Sequence, residues 1–547
     1  MSPAGACPLH SGPLAARARV TGRPEAPWDR LNDPITADLV SHGPLSRERF
    51  ARTWTSDDDL RALATLKRAP LDPALARALT AMHVRLGAGA ASLANLERLA
   101  RGEAVATVAG QQPAPLGGPL YSLHKIAAAA GLARTVTARI GEPCVPLFWM
   151  HGEDSDFTEI RGASVLDGAL ELHDFALPDG AHQTGGLVGD IPAEHLAPLH
   201  AEALAQWAGL AGHADAARVL EHAQRVGRDL GEVTTALLLQ LFADAGLVVV
   251  DPRLPEFRAA ARTVIDRYLA HAPALEQAAR TAGVRLQELA GRTPLTDASL
   301  DSFVFEVVDG ARQKISAADA LARGAAVTLS PSVALRPSVQ DGVFPTVAMA
   351  VGPGEIAYLA QLREVFEGVG VAPAMLVPRF GATWLPPEAL ALIEASGADP
   401  WRVVADTDAV LAELAAKRVP ADLEGELLNA KAAALDGLAR FAEASRALDA
   451  SLPQMVESAR GKVDYQFARL HEGLIGKVRA RFDKEHPVWR RLRYSLSPGG
   501  KLQERRVASL EPVARLGLGV VAELCDAATE HAALAARGVH EHWLLEG

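Results

Sequence analysis

The chain has 547 residues, 49% of them apolar and 22% charged. That is too long for one core and too apolar for a disordered or fibrous protein, and at roughly 150 residues per domain it predicts about three or four units. Fifty-five basic against sixty-six acidic residues leave a net charge of −11, which argues against generic nucleic-acid binding, where a basic face must displace counterions.

Cys7, Cys144 and Cys525 stand too far apart for a CxxC motif, and an odd, sparse count suits a reducing compartment. The first twenty residues place Pro, His and Arg where a signal peptide needs an unbroken apolar stretch. The most apolar segment, 236–250, is interrupted by Gln240 and Asp244 and is too short to span a bilayer. A soluble, cytoplasmic protein is expected.

Along the chain, residues 104–109 (AVATVA) read as a buried strand turning at Gly110. The segment 111–118 (QQPAPLGG) must be a loop, and Pro119 sits where proline is welcome, at a helix start. The helix that follows buries a face through Leu120, Leu123, Ala127 and Ala130, and residues 144–150 (CVPLFWM) form the next strand. Strand, glycine-rich loop, helix, strand is the βαβ unit of a parallel sheet. That strand runs into His151-Gly-Glu-Asp-Ser-Asp-Phe157, and acidic residues at the carboxyl end of a parallel strand stand where ligands bind.

Residues 247–250 supply another strand, and Asp309-Gly310 between 303–308 and 311–315 signals an antiparallel hairpin, hence an insertion. The first pattern returns as a strand at 346–351, the turn Gly352-Pro353-Gly354, a helix over 355–369 and a strand at 374–377. Beyond about Trp384 long helical periodicity takes over. Leu428, Leu435, Leu438, Ala442, Ser445 and Leu452 mark one seam, and Val463, Phe467, Leu470, Leu474 and Val478 another after Pro453. An antiparallel helical hairpin with a weak zipper is expected, then a loop over 495–506 and a final pair of helices.

Gly117 and Gly118 before a helix N-terminus form an anion site in principle, with His124 and Lys125 leaning back over it to stabilise a leaving pyrophosphate. A capped turn with a solvated His-Lys pair is the competing reading. The loop is neither a Walker A nor a GxGxxG motif. Glu153, Asp154 and Asp156 could hold Mg²⁺ or a substrate ammonium, or simply cap the next element. His151 is a candidate base against the commoner structural histidine. Glu355 would sit at a helix start beside a glycine turn that lets a backbone approach a ligand. Arg490, Arg491 and Arg493 with Lys501, Arg505 and Arg506 form a basic cluster that could bind phosphate or face solvent. There is no nucleophile motif and no Cys/His zinc spacing, and Cys144 reads as packed.

Taken together, VAGQQPAPLGGPLYSLHK, VPLFWMHGEDSDFTEI, LSPSVALRPSVQDGVFPTVAMAVGPGEIAYLAQL and PGGKLQER resemble, in order and spacing, the BshC family, described as the cysteine ligase of bacillithiol biosynthesis. The resemblance runs from about residue 30 onward. It implies an α/β, Rossmann-like parallel-sheet core over 1–390 with connecting-peptide insertions at about 160–235 and 255–335, a helical coiled-coil arm over 391–490 that dimerises the protein, and a return to the core over 491–547. It also implies joining of cysteine to the amine of glucosaminyl-malate, with ATP and possible Mg²⁺ but no zinc, and neither nucleic acid nor membrane as partner.

GGPLYSLHK further resembles the HIGH signature of class I aminoacyl-tRNA synthetases, without a KMSKS-like loop, which favours activation as an adenylate. On this reading His124, Lys125, Glu153 and Asp154 are catalytic. Gly110, Gln111, Gln112, Gly117, Gly118, Tyr121, Gly352 and Gly354 meet the nucleotide, and Trp149, Asp156 and Glu355 meet substrate. Ser155 stands where the family commonly carries histidine, with His151 as the candidate substitute. A HIGH-class nucleotidyltransferase acting on another acid and a non-catalytic dimeric scaffold remain as alternatives.

Overall fold

Five short apolar runs, each with glycine or proline at or within two residues of its end, become the strands of one parallel sheet: β1 (Val105–Gln111), β2 (Cys144–Met150), β3 (Val248–Val250), β4 (Thr346–Val351) and β5 (Met375–Pro378). The structure, a computed structural model, describes residues 16–21, 33–385, 387–449, 451–485 and 487–546, with the backbone course alone at 16–21, 388, 488, 490, 493 and 494. Cys7 and the side chains of Arg490 and Arg493 thus lie outside the described residues.

The strand order is β5-β4-β1-β2-β3. β1 and β2 pair without interruption from Val105↔Cys144 to Gln111↔Met150. The chain winds outward from β1 to β3, then restarts at β4 on the other side. That reversal opens a crevice at the carboxyl ends of β1 and β4, where doubly wound sheets bind their ligands.

The helices that position the site and build the arm are α1 (Leu120–Ile140), α2 (Pro255–Ala290), α3 (Pro353–Ala360), α4 (Ala421–Ser445), α5 (Leu452–Glu485) and α6 (Val520–Ala535). α1 is buried on nearly every face because it lies between the sheet and α6. Its alanines and Gly131 allow this: a Cβ at Gly131 would sit 2.5 Å from the carbonyl carbon of Ala528 on α6.

The hairpin insertion forms as expected, Val304–Val308 against Ala311–Lys314, with Asp309 and Gly310 left-handed at φ 49° and 74°. Leu329–Pro331 adds a third strand. The helix expected over 355–369 is instead two, α3 and Arg363–Gly368, because Gln361 turns inward to bond Leu295 N and Ala279 O. Unanticipated elements are the helices between Pro34 and Arg101 and a sheet in which 541–546 pairs with 16–21 and 382–385.

By contacts the chain divides into one unit of residues 1–385 with 500–547 and a second of 386–499. In the second, α4 and α5 form the expected hairpin, joined across by Lys431 to Asp464 at 2.8 Å. Leu428 and Leu470, taken as seam residues, are instead 57% and 58% exposed. Among the described residues no helix is long and apolar enough to cross a membrane.

Two buried histidines tie the first unit together. His83 donates from Nδ1 to Leu79 O and accepts Val249 N–H of β3 at Nε2, 3.0 Å away, which requires a neutral ring. Burial holds His83 and His200 at about 4, below the ordinary 6.5. With the folded values depressed, the unfolded chain takes up these protons first as pH falls, so stability present above 6.5 is lost toward 4. Each ring should cost about 2 kcal/mol between pH 7 and 5. Urea titrations should therefore show a shallower pH slope for the His83→Asn/His200→Asn pair than for the parent, and equal slopes would mean that the rings are already protonated in the fold.

Candidate functional site

The crevice is organised around Lys125, which α1 carries beneath the ends of β1 and β4. Its ammonium donates to Gly110 O at 2.9 Å, Gln111 Oε1 at 3.2 Å and Glu355 Oε2 at 2.7 Å. Glu355 Oε2 also accepts Gly352 N–H at 2.9 Å, closing the cap of α3. Lys125 is buried and all three of its protons are engaged. It therefore fastens the glycine turn after β4 to the end of β1, a correction to the expectation of a lysine reaching for phosphate. Burial pulls its pKa down, and Glu355 opposes that.

His124 likewise does not lean over the loop. It is fully buried, with Nδ1 3.1 Å from Glu504 Oε2, Trp384 Nε1 3.4 Å from its Nε2, and Phe380 edge-on. Glu504 also receives Arg379 at 2.9 and 2.5 Å. The Arg379 guanidinium lies 5.7 Å from the Tyr121 ring. Tyr121 accepts Gln111 Nε2–H at 2.9 Å, and burial, then Glu159, push its hydroxyl up to about 12.

The expected anion turn is occupied by the chain itself. Leu116, Gly117 and Gly118 are successively left-handed at φ 54°, 82° and 81°. A Cβ at Gly117 would meet Ser509 and Leu237 at 3.2 and 3.3 Å. Leu120 N–H donates to Val507 O at 2.7 Å, and Ser509 N–H to Gly118 O at 2.8 Å. The segment 507–509 thus covers the turn and takes the helix amide a phosphate would need. Gly118, Pro119 and Tyr121 instead form one wall of an open cleft of about 690 Å³, faced by Glu159, Asp174, Lys501, Arg505 and Arg506. Arg506 pairs with Asp174 at 2.8 Å, whereas Lys501 and Arg505 are exposed and have no carboxylate partner among the described residues.

The acidic run does not converge. Glu153 is buried and held by Arg258 at 2.8 Å and Ser330 Oγ at 2.8 Å, so it anchors its loop rather than gripping substrate. Burial nonetheless raises its pKa, against the pull of Arg258. Asp154 accepts Gln112 Nε2–H at 3.0 Å, and the same amide nitrogen reaches Glu159 at 2.9 Å. Asp156 caps the turn Phe157–Ile160 through Glu159 N–H at 3.1 Å. These three carboxylates do not fit a shared Mg²⁺, and no cluster of three His, Cys, Asp or Glu side chains able to hold a metal occurs among the described residues.

Trp149 is a core residue, edge-on to Phe257 of α2 at 5.1 Å, and not part of an open substrate wall. Gly354 has open space around it, as a ligand-facing turn requires. Gly110 is needed for another reason: a Cβ there would lie 2.6 Å from His151 Nε2. The half-buried His151 ring packs on that glycine and makes no side-chain hydrogen bond among the described residues. Burial and the nearby Arg336, Lys125 and Arg312 hold it well below the ordinary histidine range, hence neutral. Sequence reasoning missed Arg379, Glu504, Arg312 and Arg336. Glu504 and Arg336 lie inside the quoted strings, and Arg312 follows the Asp309-Gly310 turn, but no local pattern marks their partners.

Comparison with known proteins agrees with this architecture. Residues 30–380 match the family model described as the N-terminal Rossmann-like domain of bacillithiol biosynthesis BshC, and residues 382–533 match its C-terminal coiled-coil domain. A protein of Koribacter versatilis named "Putative cysteine ligase BshC" is 32% identical over 83% of this chain and 87% of its own length. One of Geobacillus kaustophilus with the same name is 30% identical over 86% of this chain and 91% of its own.

Proposed function

We propose that this chain, which belongs to the BshC family of bacillithiol biosynthesis and is a ligase, joins the carboxyl group of L-cysteine to the free amine of glucosaminyl-malate, with ATP activating the carboxylate. The observation that carries this reading is the open cleft of ligand size beside Tyr121, where the exposed Lys501 and Arg505 stand across from Gly118 and Glu159.

A carboxylate resists attack by an amine until one oxygen becomes a leaving group. A cysteine carboxylate oxygen attacks the α-phosphorus of ATP and pyrophosphate departs. The amine nitrogen then attacks the acyl carbon, AMP departs, and the nitrogen loses a proton. Lys501 and Arg505 face the phosphates across the cleft from Gly118 and Tyr121. With Glu153 committed to Arg258, the cysteine ammonium falls to Asp154 and Glu159, which Gln112 holds side by side. His151, neutral and without a partner among the described residues, takes the amine proton. The exposed Leu428, Phe441 and Leu470 of the arm support self-association into a homodimer, which light scattering would weigh.

Purified protein given ATP, L-cysteine and glucosaminyl-malate should yield the cysteinyl amide with AMP and pyrophosphate. ADP would overturn the adenylate, and amide formation only with another acid would overturn cysteine as substrate. His151→Ala should lower kcat about 10²–10³-fold with little change in KM, and an unchanged kcat would remove His151 from the chemistry.

A further inference from the structure

We propose that Arg312 and Arg336 form a subsite for a dicarboxylate, which on the ligase reading above is the malyl end of the acceptor. Of the cations around His151 and the neighbouring Glu153, Lys125 and Arg258 are answered by Glu355 and Glu153, at 2.7 and 2.8 Å. Arg312 and Arg336 remain, and neither forms an ion pair with a carboxylate among the described residues.

Arg312 is built in. Its backbone N–H donates to Gly185 O at 3.0 Å, and the hairpin turn is pinned by Leu187 N–H on Gly310 O at 3.1 Å. The next residues bind the His151 loop, Val188 N–H to Asp154 O at 2.7 Å and Gly189 N–H to Gly152 O at 2.9 Å. The guanidinium lies 4.1 Å from the Phe305 ring centre and gives one Nη to Pro331 O at 3.0 Å. Its Nε is buried with no hydrogen-bond partner among the described residues. Arg336 is half-buried and, among the described residues, its side chain reaches the Tyr358 hydroxyl alone, at 3.3 Å.

Burial holds Arg312 below the ordinary arginine range; Glu153 and Asp154 pull the other way, and Arg336 adds repulsion. A buried cation beside a second one is unfavourable unless an anion joins them, and each planar fork matches one carboxylate. Two forks at the crevice favour a dianion.

The test is calorimetric titration of the full chain with glucosaminyl-malate, methyl glucosaminide and L-malate. Arg312→Met and Arg336→Met should each weaken glucosaminyl-malate at least about 30-fold, and lysine at either position should restore part of that loss. Methyl glucosaminide, which lacks the carboxylates, should bind parent and variants alike, and L-malate should compete only in the parent. Folded variants that keep parental affinity for glucosaminyl-malate, or that lose both sugars equally, would overturn the subsite. Should Arg312→Met not fold, the half-exposed Arg336→Met carries the same comparison. Parent turnover with cysteine is scored separately: ligation that persists alongside unaffected variants refutes the subsite alone, whereas arginine-dependent dianion binding without ligation upholds it and refutes the ligase reading.

Discussion

Glu504→Ala should lower the unfolding free energy by about 3–5 kcal/mol. The Glu504 side chain is 2% exposed and faces Arg379, which is 4% exposed, with His124 on its other side. Removing the carboxylate takes from a buried guanidinium the group that receives it at 2.9 and 2.5 Å, and breaking one half of such a pair costs far more than the intact pair contributes. Glu504→Gln, which keeps the shape and an acceptor oxygen, should lose less. Arg505→Ala next door removes an exposed cation and should stay within about 0.5 kcal/mol of the parent, while weakening nucleotide binding. Urea denaturation followed by tryptophan fluorescence separates the three. A Glu504→Ala loss below about 1 kcal/mol would mean that water reaches the pair.

Gly131→Val should be comparably damaging, at about 3 kcal/mol. The Cβ it adds points at backbone, 2.5 Å from Ala528 C, 2.6 Å from Ala528 O and 2.7 Å from Thr529 N, so no rotamer change relieves it. α1 and α6 must separate along their length. Even Gly131→Ala should destabilise, although alanine is the better helix former. Gly437→Ala on the arm, where no atom of the described residues lies within 4 Å of the new methyl, should stabilise by about 1 kcal/mol. Thermal melts that shift the same way for both alanine variants would refute the close approach of the two helices.

The contrast between these sites explains what the sequence makes legible. β1, α1 and β2 are punctuated locally, by Pro113, Pro119 and Gly141, and periodicity places them to within a residue or two. The Asp309-Gly310 turn is equally local, since its two left-handed residues dictate the hairpin. The split at Gln361 is not, because that amide is satisfied by Leu295 and Ala279, far off in sequence. The candidate site fails for the same reason. His124 and Lys125 have the residue types of a phosphate clamp, but their role is set by what they meet. His124 meets Glu504, 380 residues away, and Lys125 meets the turn after β4. The turn at Gly117 and Gly118 has the right residues for an anion site, yet residues 507–509, contributed from beyond the arm, lie across it. Glu153 announces a carboxylate at a strand end, and nothing local announces Arg258.

The parallel-sheet unit is written in two instalments, 1–385 and 500–547, with the arm between them. Its first instalment emerges lacking the cover for the Gly117 turn, the carboxylate for Arg379, the helix that packs against Gly131 and the strand that pairs with 382–385. During synthesis the unit must therefore wait, its sheet in hand but its cover missing and apolar surface exposed, while the arm of more than a hundred residues is made. A ribosome that stalls within the arm would leave a nascent chain that cannot close its own core, the kind of intermediate on which chaperones act.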